Sequence, residues 1–246
     1  YSREMRDMVE GKVIASNEII VSQTADRLRS IMDGAVLTQR LLVSKVVVSP
    51  LFVSRRETAG LERVRAQKEL IEYLSFAALG NMAVDGIYLV DEAGAVMSSR
   101  ISHDREALLG LPWLGDFMAS GDFERLSPPH RARYDSGLAR AGYPEVITLL
   151  RKVSNFGAIP RSFVLMMDVL LEPMRHELDR AGEGGELPLV LRAADGTLLF
   201  ENAAHRAKNG SRAIFTVREE VLPGRLIVEG LVLDGGVSRA FLKSAA

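Results

Sequence analysis

The chain contains no cysteine. That one absence excludes disulfides, thiolate nucleophiles and cysteine-ligated zinc together. No run of eighteen or more apolar residues occurs either, so nothing in it reads as a membrane span. Charge of one sign is also missing: 31 Lys and Arg stand against 32 Asp and Glu, a net of −1. A protein that coats nucleic acid carries a strong basic excess, and here the basic residues are scattered singly or in pairs such as Arg55-Arg56. Enzyme signatures are lacking too: there is no Gly-x-Ser-x-Gly elbow, no Walker loop and no dinucleotide glycine pattern. The four histidines, His103, His130, His176 and His205, never fall three or four residues apart, so neither a metal nor another cofactor is expected. "GEGGE" at Gly182–Glu186 is glycine-rich, but its acids repel phosphate, and it reads as a linker. Glu219 and Glu220 are neighbours in a strand pattern, point to opposite faces and cannot act on one bond together.

What is present is a globular composition, 47% hydrophobic over 246 residues, enough for one large domain or two of modest size. The opening "YSREMRDMVEGK" has no apolar core of a signal peptide and starts in the middle of a helical pattern. The closing "GGVSRAFLKSAA" starts an amphipathic stretch. Both ends suggest a piece of a longer protein with flanking membrane helices.

From Glu4 to Val48 only Gly11 and Gly34 interrupt a helical pattern, and Pro50 ends it. Ile14, Val21, Leu28, Ala35 and Leu42 recur every seven residues. Their companions three residues on, Asn17, Thr24, Ile31, Thr38 and Lys45, are mostly polar, which predicts a single long helix with a narrow apolar stripe. That stripe is the expected homodimer contact. A second helix is expected over 56–79, with Leu61, Val64, Ile71, Leu74 and Ala78 on its buried face.

Two stretches a hundred residues apart then read alike: "DGIYLVDEAGAVMSS" from Asp85 and "LPLVLRAADGTLLFE" from Leu187. Each is an apolar run, an acidic-small-Gly corner and a second apolar run, the composition of a β-hairpin. Short helices are expected at Arg105–Leu109 and Pro112–Ser120, and "SPPH" at Ser127–His130 forbids regular structure. Strands are expected at Glu145–Val153 and Ser162–Leu170, a helix at Leu171–Arg180, and strands at Ala213–Val221 and Arg225–Leu233. Each hairpin with its two following strands forms an antiparallel sheet backed by helices, an α+β layout.

This order of elements resembles the double Cache sensor domain. That is the extracytoplasmic, PAS-like tandem of bacterial sensor histidine kinases, chemoreceptors and membrane-bound regulators of the arabinose-regulator type. The carrying stretches are the helix before Pro50, "GIYLVDEAGAVMSS", "PWLGDFMAS", "EVITLLRKVSNFGAIPRSFVLMMDVLLEPM" and "LVLRAADGTLLF…LPGRLIVEGLVL". The resemblance implies a stalk helix over 1–55, a membrane-distal module over 56–170 with the ligand pocket, a stacked proximal module over 171–236, and a segment toward the membrane over 237–246. It also implies an extracytoplasmic location and a non-enzymatic, ligand-sensing role. In amino-acid-binding members an Arg two residues before a Trp-Tyr pair grips the ligand carboxylate, and a later Tyr and Asp grip its ammonium. Trp113 matches the Trp, but the Arg and Tyr positions hold Leu111 and Leu114. Tyr134 and Asp135 fall in the region of the later pair, and Asp168 matches the Asp that closes a strand. With the carboxylate clamp missing, the expected ligand is a neutral, sugar-like solute stacked on Trp113.

Each candidate also has a plainer role. Trp113 is a core anchor or a stacking platform. Asp168, in an apolar strand, caps the following helix or meets a ligand. Arg133, Tyr134 and Asp135 are solvated loop residues or ligand contacts. Arg100 and Arg151 pair with a buried carboxylate such as Asp168 or read a ligand's polar groups. Tyr88 faces the opposite side of its strand from Ile87 and Leu89, lining a pocket or packing under a helix. The competing readings of the whole chain are a soluble α+β enzyme or binding protein with a dispersed site, and a spacer that binds nothing.

Overall fold

The computed structural model describes residues 3–49, 51, 60–135, 142–155, 161–182, 187–207 and 213–233. The expected starts and ends at 1–2, 52–59 and 234–246, the "SNFGAIP" connection beyond Asn155 and most of the "GEGGE" linker lie outside the described residues. The chain divides into two compact units, Tyr1–Met32 with Glu172–Ala246, and Asp33–Leu171.

Helix α1 (Arg3–Val47) contributes to both, and it ends where Pro50 disfavours helical geometry for the residue before it. Val21, Leu28, Ala35 and Leu42 are buried as a row, but the row beside them stands four residues on, not three: Ala25, Met32, Gln39 and Val46 are buried as well. The helix therefore presents a complete seam with steps of four and three, apolar except for Gln39. This corrects the expected dimer contact. Leu28, Ala35 and Leu42 have no exposed surface within a single chain, so they are not available to a second copy.

In the unit Asp33–Leu171, α2 (Leu61–Leu79) precedes β1 (Val84–Asp91) and β2 (Val96–Ser98). Two short helices follow, α3 (Arg105–Leu109) and α4 (Pro112–Ala119). The strands β3 (Glu124–Leu126), β4 (His130–Arg131), β5 (Glu145–Asn155) and β6 (Arg161–Leu170) complete an antiparallel sheet. Its order is β2-β1-β6-β5-β3, with β4 also on β5. The pair β3 and β4 flanks the Ser127–Pro129 break and was not legible from composition. Side chains alternate across each strand. Ile87, Leu89, Ile147, Leu149, Leu165 and Met167 fill one face, where the Gln39 amide donates to the Leu149 carbonyl at 3.1 Å. Tyr88, Val90, Val146, Leu150, Val164 and Met166 fill the other, under Leu108, Leu114 and Phe117 of α3 and α4. Because β1 and β6 are covered on both faces, they read as continuous apolar runs. Helix α2 buries Ala66, Leu70 and Leu74, whereas Leu61, Val64 and Ile71 are exposed, so its expected face is corrected by about a third of a turn.

In the other unit, α5 (Leu171–Gly182) leads to β7 (Leu189–Ala193), β8 (Leu198–Glu201), α6 (Ala203–Ala207), β9 (Ala213–Leu222) and β10 (Leu226–Leu233). The sheet order is β8-β7-β10-β9. Gly230 of β10 faces α1 so closely that a Cβ there would overlap the Val21 side chain. Asn202 caps α6, accepting from His205 N–H at 2.9 Å, and also accepts from Leu189 N–H and donates to the Leu187 carbonyl, both at 3.0 Å. The two look-alike stretches close in the same way. Gly94 N–H donates to the Asp91 carbonyl at 3.0 Å and Gly196 N–H to the Ala193 carbonyl at 2.9 Å. Both glycines have positive φ, 77° and 87°.

Candidate functional site

On the face of the larger sheet under α3 and α4, polar groups gather around one buried carboxylate. There the register sets Asp168 of β6 opposite Gly86 of β1 and Thr148 of β5. Asp168 is completely buried. Thr148 Oγ1 donates to its Oδ1 at 2.6 Å, and Tyr134 Oη to its Oδ2 at 2.8 Å. The carboxylate is thus engaged by a neighbouring strand and by the loop after β4, and does not cap the helix that starts at Leu171. Tyr134 is held in turn by its backbone, whose carbonyl accepts from Asp104 N–H at 2.7 Å. Asp104 is the N-cap of α3, accepting from Ala107 N–H at 3.0 Å, so the loop and the first insert helix are tied together.

His130 extends the network. Its Nδ1 stands 2.9 Å from the Pro128 carbonyl, which only accepts, so Nδ1 carries a hydrogen. Its Nε2 stands 3.0 Å from Tyr134 Oη. Burial holds this imidazole below its usual range, which leaves Nε2 a bare acceptor. Burial pushes Asp168 up to about 7, against the downward pull of the Thr148 and Tyr134 hydrogen bonds. Tyr134 has one hydrogen and two acceptors within reach. When Asp168 is ionised the hydrogen goes to Asp168; a proton on Oδ2 of Asp168 would instead be donated to Tyr134, freeing the tyrosine hydrogen to turn to His130, whereas a proton on Oδ1 would go to Thr148. Burial, followed by the charge of Asp168, pushes the Tyr88 and Tyr134 phenols far up, so both stay neutral.

Beside this lies a charged group. Arg100, just after β2, pairs through Nη2 with Asp85 Oδ1. Its Nε stands 2.9 Å from Asp135 Oδ2, a charge contact without hydrogen-bond alignment. Tyr88 packs edge-on against Tyr134 at 5.4 Å and against His103 at 6.4 Å between ring centroids. Among the described residues its buried hydroxyl has no hydrogen-bond partner, and neither has the other oxygen of Asp85. Trp113, the second residue of α4, is half-buried and tilted 46° on His130 with centroids 4.9 Å apart.

Of the residues singled out in the sequence, Tyr88, Arg100, Trp113, Tyr134, Asp135 and Asp168 gather here. Two do not. Arg133 is exposed. Arg151 stands three positions from Thr148 on β5, an odd step that sends it to the opposite face, where Nη1 pairs with Glu124 at 2.8 Å rather than with Asp168. Three members had been overlooked: Asp85, His130 and Thr148. Thr148 was the one polar residue inside "VITLL", and that is the signal that could have found it. Among the described residues no cluster of His, Asp and Glu is placed to hold a metal ion, and no helix is long and apolar enough to cross a membrane.

No protein-family model and no curated protein matches the chain. Solved structures do. The sensory domain of the Campylobacter jejuni chemoreceptor Tlp3 with isoleucine bound superposes at a TM-score of 0.62 and 10% identity, covering 96% of this chain and 99% of that one. The ligand-binding domain of Pseudomonas fluorescens CtaA in complex with L-valine gives 0.61 and 15%, covering 91% and 98%. That of Pseudomonas aeruginosa PctC in complex with GABA gives 0.57 and 16%, covering 87% and 97%. The chain has their fold. It is an α+β sensory-domain fold, with a long N-terminal helix and antiparallel sheets in two modules, as the double Cache resemblance implied.

Proposed function

We propose that this chain is the extracytoplasmic, non-enzymatic ligand-sensing part of a bacterial membrane receptor, and that a small polar solute binds at the cluster around Tyr88, Tyr134 and Asp168. The observation that carries this reading is the cluster itself. Asp85 and Asp168 of the sheet and Asp135 of the loop after β4 are nearly or fully withdrawn from water, and among the described residues the Arg100 guanidinium pairs with Asp85 and stands beside Asp135. Burying three carboxylates costs stability that packing alone does not require. A binding site gives that cost a use. The fold supports the same reading, because the sensory domains named above hold small molecules.

The ligand is better described as amino-acid-like, small and nitrogen-bearing, than as sugar-like. Trp113 is inclined on His130 and does not lie open as a stacking surface, and the Tlp3, CtaA and PctC domains hold isoleucine, L-valine and GABA. Binding would favour one of two arrangements already accessible to the domain and pass that preference to an output module, which is a kinase, a transcription regulator or a chemotaxis signal.

A thermal-shift screen of the purified domain against amino acids, amines, organic acids and sugars tests the reading. Ligand at about 100 times its Kd stabilises by about 2.7 kcal/mol, a shift of several degrees. A hit that is lost in Asp168→Ala supports the site. A hit that survives unchanged in that variant moves the site elsewhere, and a silent screen across all four classes removes the proposal.

A further inference from the structure

We propose that the outer edge of β9 is a docking site for an extended segment of a partner protein, apolar and basic in its side chains. The site lies wholly within the unit Tyr1–Met32 with Glu172–Ala246 and does not depend on the ligand cluster. Strand β9 ends its sheet and pairs with β10 alone. The direction of its backbone groups follows from the register. Leu231 N–H donates to the Pro188 carbonyl and Ala194 N–H to the Arg225 carbonyl, both at 2.9 Å, so the odd-numbered residues of β10 turn their backbone toward β7. The even-numbered ones turn toward β9, where Val228, Gly230 and Val232 meet Glu219, Val217 and Phe215. Thr216, Arg218 and Glu220 therefore turn their N–H and C=O groups outward. At Glu220 this is seen directly, because its carbonyl accepts from Arg29 Nη2 of α1 at 2.7 Å.

This edge borders a groove of about 710 Å³, walled on one side by Phe215–Glu219 and on the other by Ala15, Glu18, Ile19, Ser22 and Gln23 of α1. An open edge of ten residues is a template for pairing, which natural sheets keep short, cover or twist away. Here Arg29 covers the Glu220 end. Among the described residues no backbone or side-chain group pairs with the outward N–H or C=O of Thr216 or Arg218. The edge thus offers donors and acceptors at every second residue, the spacing at which an added strand presents its own.

The groove also sets the side chains it favours. Gly230 faces α1, so Val217 opposite it shares that face, with Phe215 and Glu219 two residues to either side. Ile19 and Phe215 are large apolar residues left in water there, 59% and 39% exposed. Glu18, Glu219 and Glu220 have no ion pair among the described residues, whereas Arg218 is engaged by Glu229 at 2.8 Å and Arg29 by Asp26. The unmatched charge of the groove is acidic, and the occupant it favours is an extended chain with basic and apolar side chains. A second copy of β9 fits less well. It would bring its own Arg218, Glu219 and Glu220, two acids to one base, against the same acids.

The experiment follows a dye-labelled, capped octapeptide of alternating valine and lysine by fluorescence anisotropy on the purified domain, beside its twin with glutamate for lysine. The lysine peptide is expected to bind about tenfold or more tightly than the twin. Two further lysine peptides carry N-methyl groups, one on every valine and the other on every lysine. Only one of these sets can point its nitrogens at β9, so one peptide is expected to lose about tenfold in affinity while the other binds as the parent does. Ile19→Ser, at an exposed position, is expected to weaken binding several-fold and to leave the melting temperature near that of wild type. Equal binding of the lysine and glutamate peptides overturns the proposal, as does equal binding of the two methylated peptides, binding unchanged in Ile19→Ser, or no binding at all. A dimer seen in sedimentation velocity that the lysine peptide dissociates puts a second copy on the edge and overturns it too.

Discussion

Tyr88 folds its ring back over Gly86, so that a Cβ on the glycine would stand 2.9 Å from the tyrosine oxygen. Only a residue without a side chain lets the ring rest there, and the ring fills the space between Tyr134 and His103. Gly86→Ala should therefore displace a fully buried aromatic from the middle of the site. A cost of about 1–3 kcal/mol is expected, as for overpacking of a core. Ligand binding should weaken more than the loss of stability accounts for. Denaturant melts of the variant beside its ligand titration check both; an unchanged midpoint would mean that Tyr88 has another place to go.

Asp168 makes the stability of the domain depend on pH in a direction opposite to that of an ion-paired carboxylate. Its folded value is raised from 3.8 to about 7, so between those limits the folded chain holds more protons than the unfolded one. Stability from this group is present at low pH and is lost as pH rises through about 7. His130, lowered from 6.5 by burial, acts in the opposite sense below that pH. Arg100 and Asp85 also reach Asp168 electrostatically, and Asp85 outweighs Arg100. Asp168→Asn removes the one acid and keeps the shape. Urea melts at pH 5 and pH 8 should show wild type losing stability relative to the variant at the higher pH; parallel pH profiles would refute the raised value.

Leu28→Asp distinguishes a helix seam that holds the chain together from one that faces a partner. Leu28 has no exposed surface. A carboxylate placed there without a counter-charge costs about 3–5 kcal/mol, a large share of a typical domain's stability. Circular dichroism should show a domain melting far lower or already unfolded. A folded variant with the wild-type melting temperature would return the seam to the surface.

Gly230 and Val21 are expected to be coupled. Gly230→Ala forces the Val21 side chain, stiff in a helix, out of its place and should cost about 1–3 kcal/mol. Adding Val21→Ala should recover part of that cost. A double-mutant cycle that closes additively, with no interaction energy beyond about 0.5 kcal/mol, would show that helix and strand do not touch there.

The order of the elements was legible because apolar periodicity and corner residues are local signals. Pro112 and Asp104 mark the helix starts, and the two Gly corners mark the hairpins. Helix α2 was misjudged in its facing because both of its sides carry apolar residues, and only the sheet decides which is covered. The α1 stripe was read with companions three residues on, which hid the row at Ala25, Met32 and Val46. At the site, Tyr88 and Asp168 stood out as polar groups in apolar strands, and Tyr134 was singled out through the family resemblance. What brings them together is the pairing of β1 and β5 with β6 in one register, and no local pattern carries that. The same register placed Thr148 beside Asp168 and turned Arg151 away. His130 was weighed only as a metal ligand, and its actual partners, Tyr134 and Pro128, lie within four residues of it.

Tyr134 can give its one hydrogen either to Asp168 or to His130, never to both. Exchanging the two states requires a turn of the hydroxyl and the movement of a proton, while every heavy atom stays where it is. Two structures of the domain could then be superimposable and still differ in the charge at the centre of the sheet. Infrared bands of the carboxyl group, which separate the acid from its anion, would tell them apart where coordinates would not.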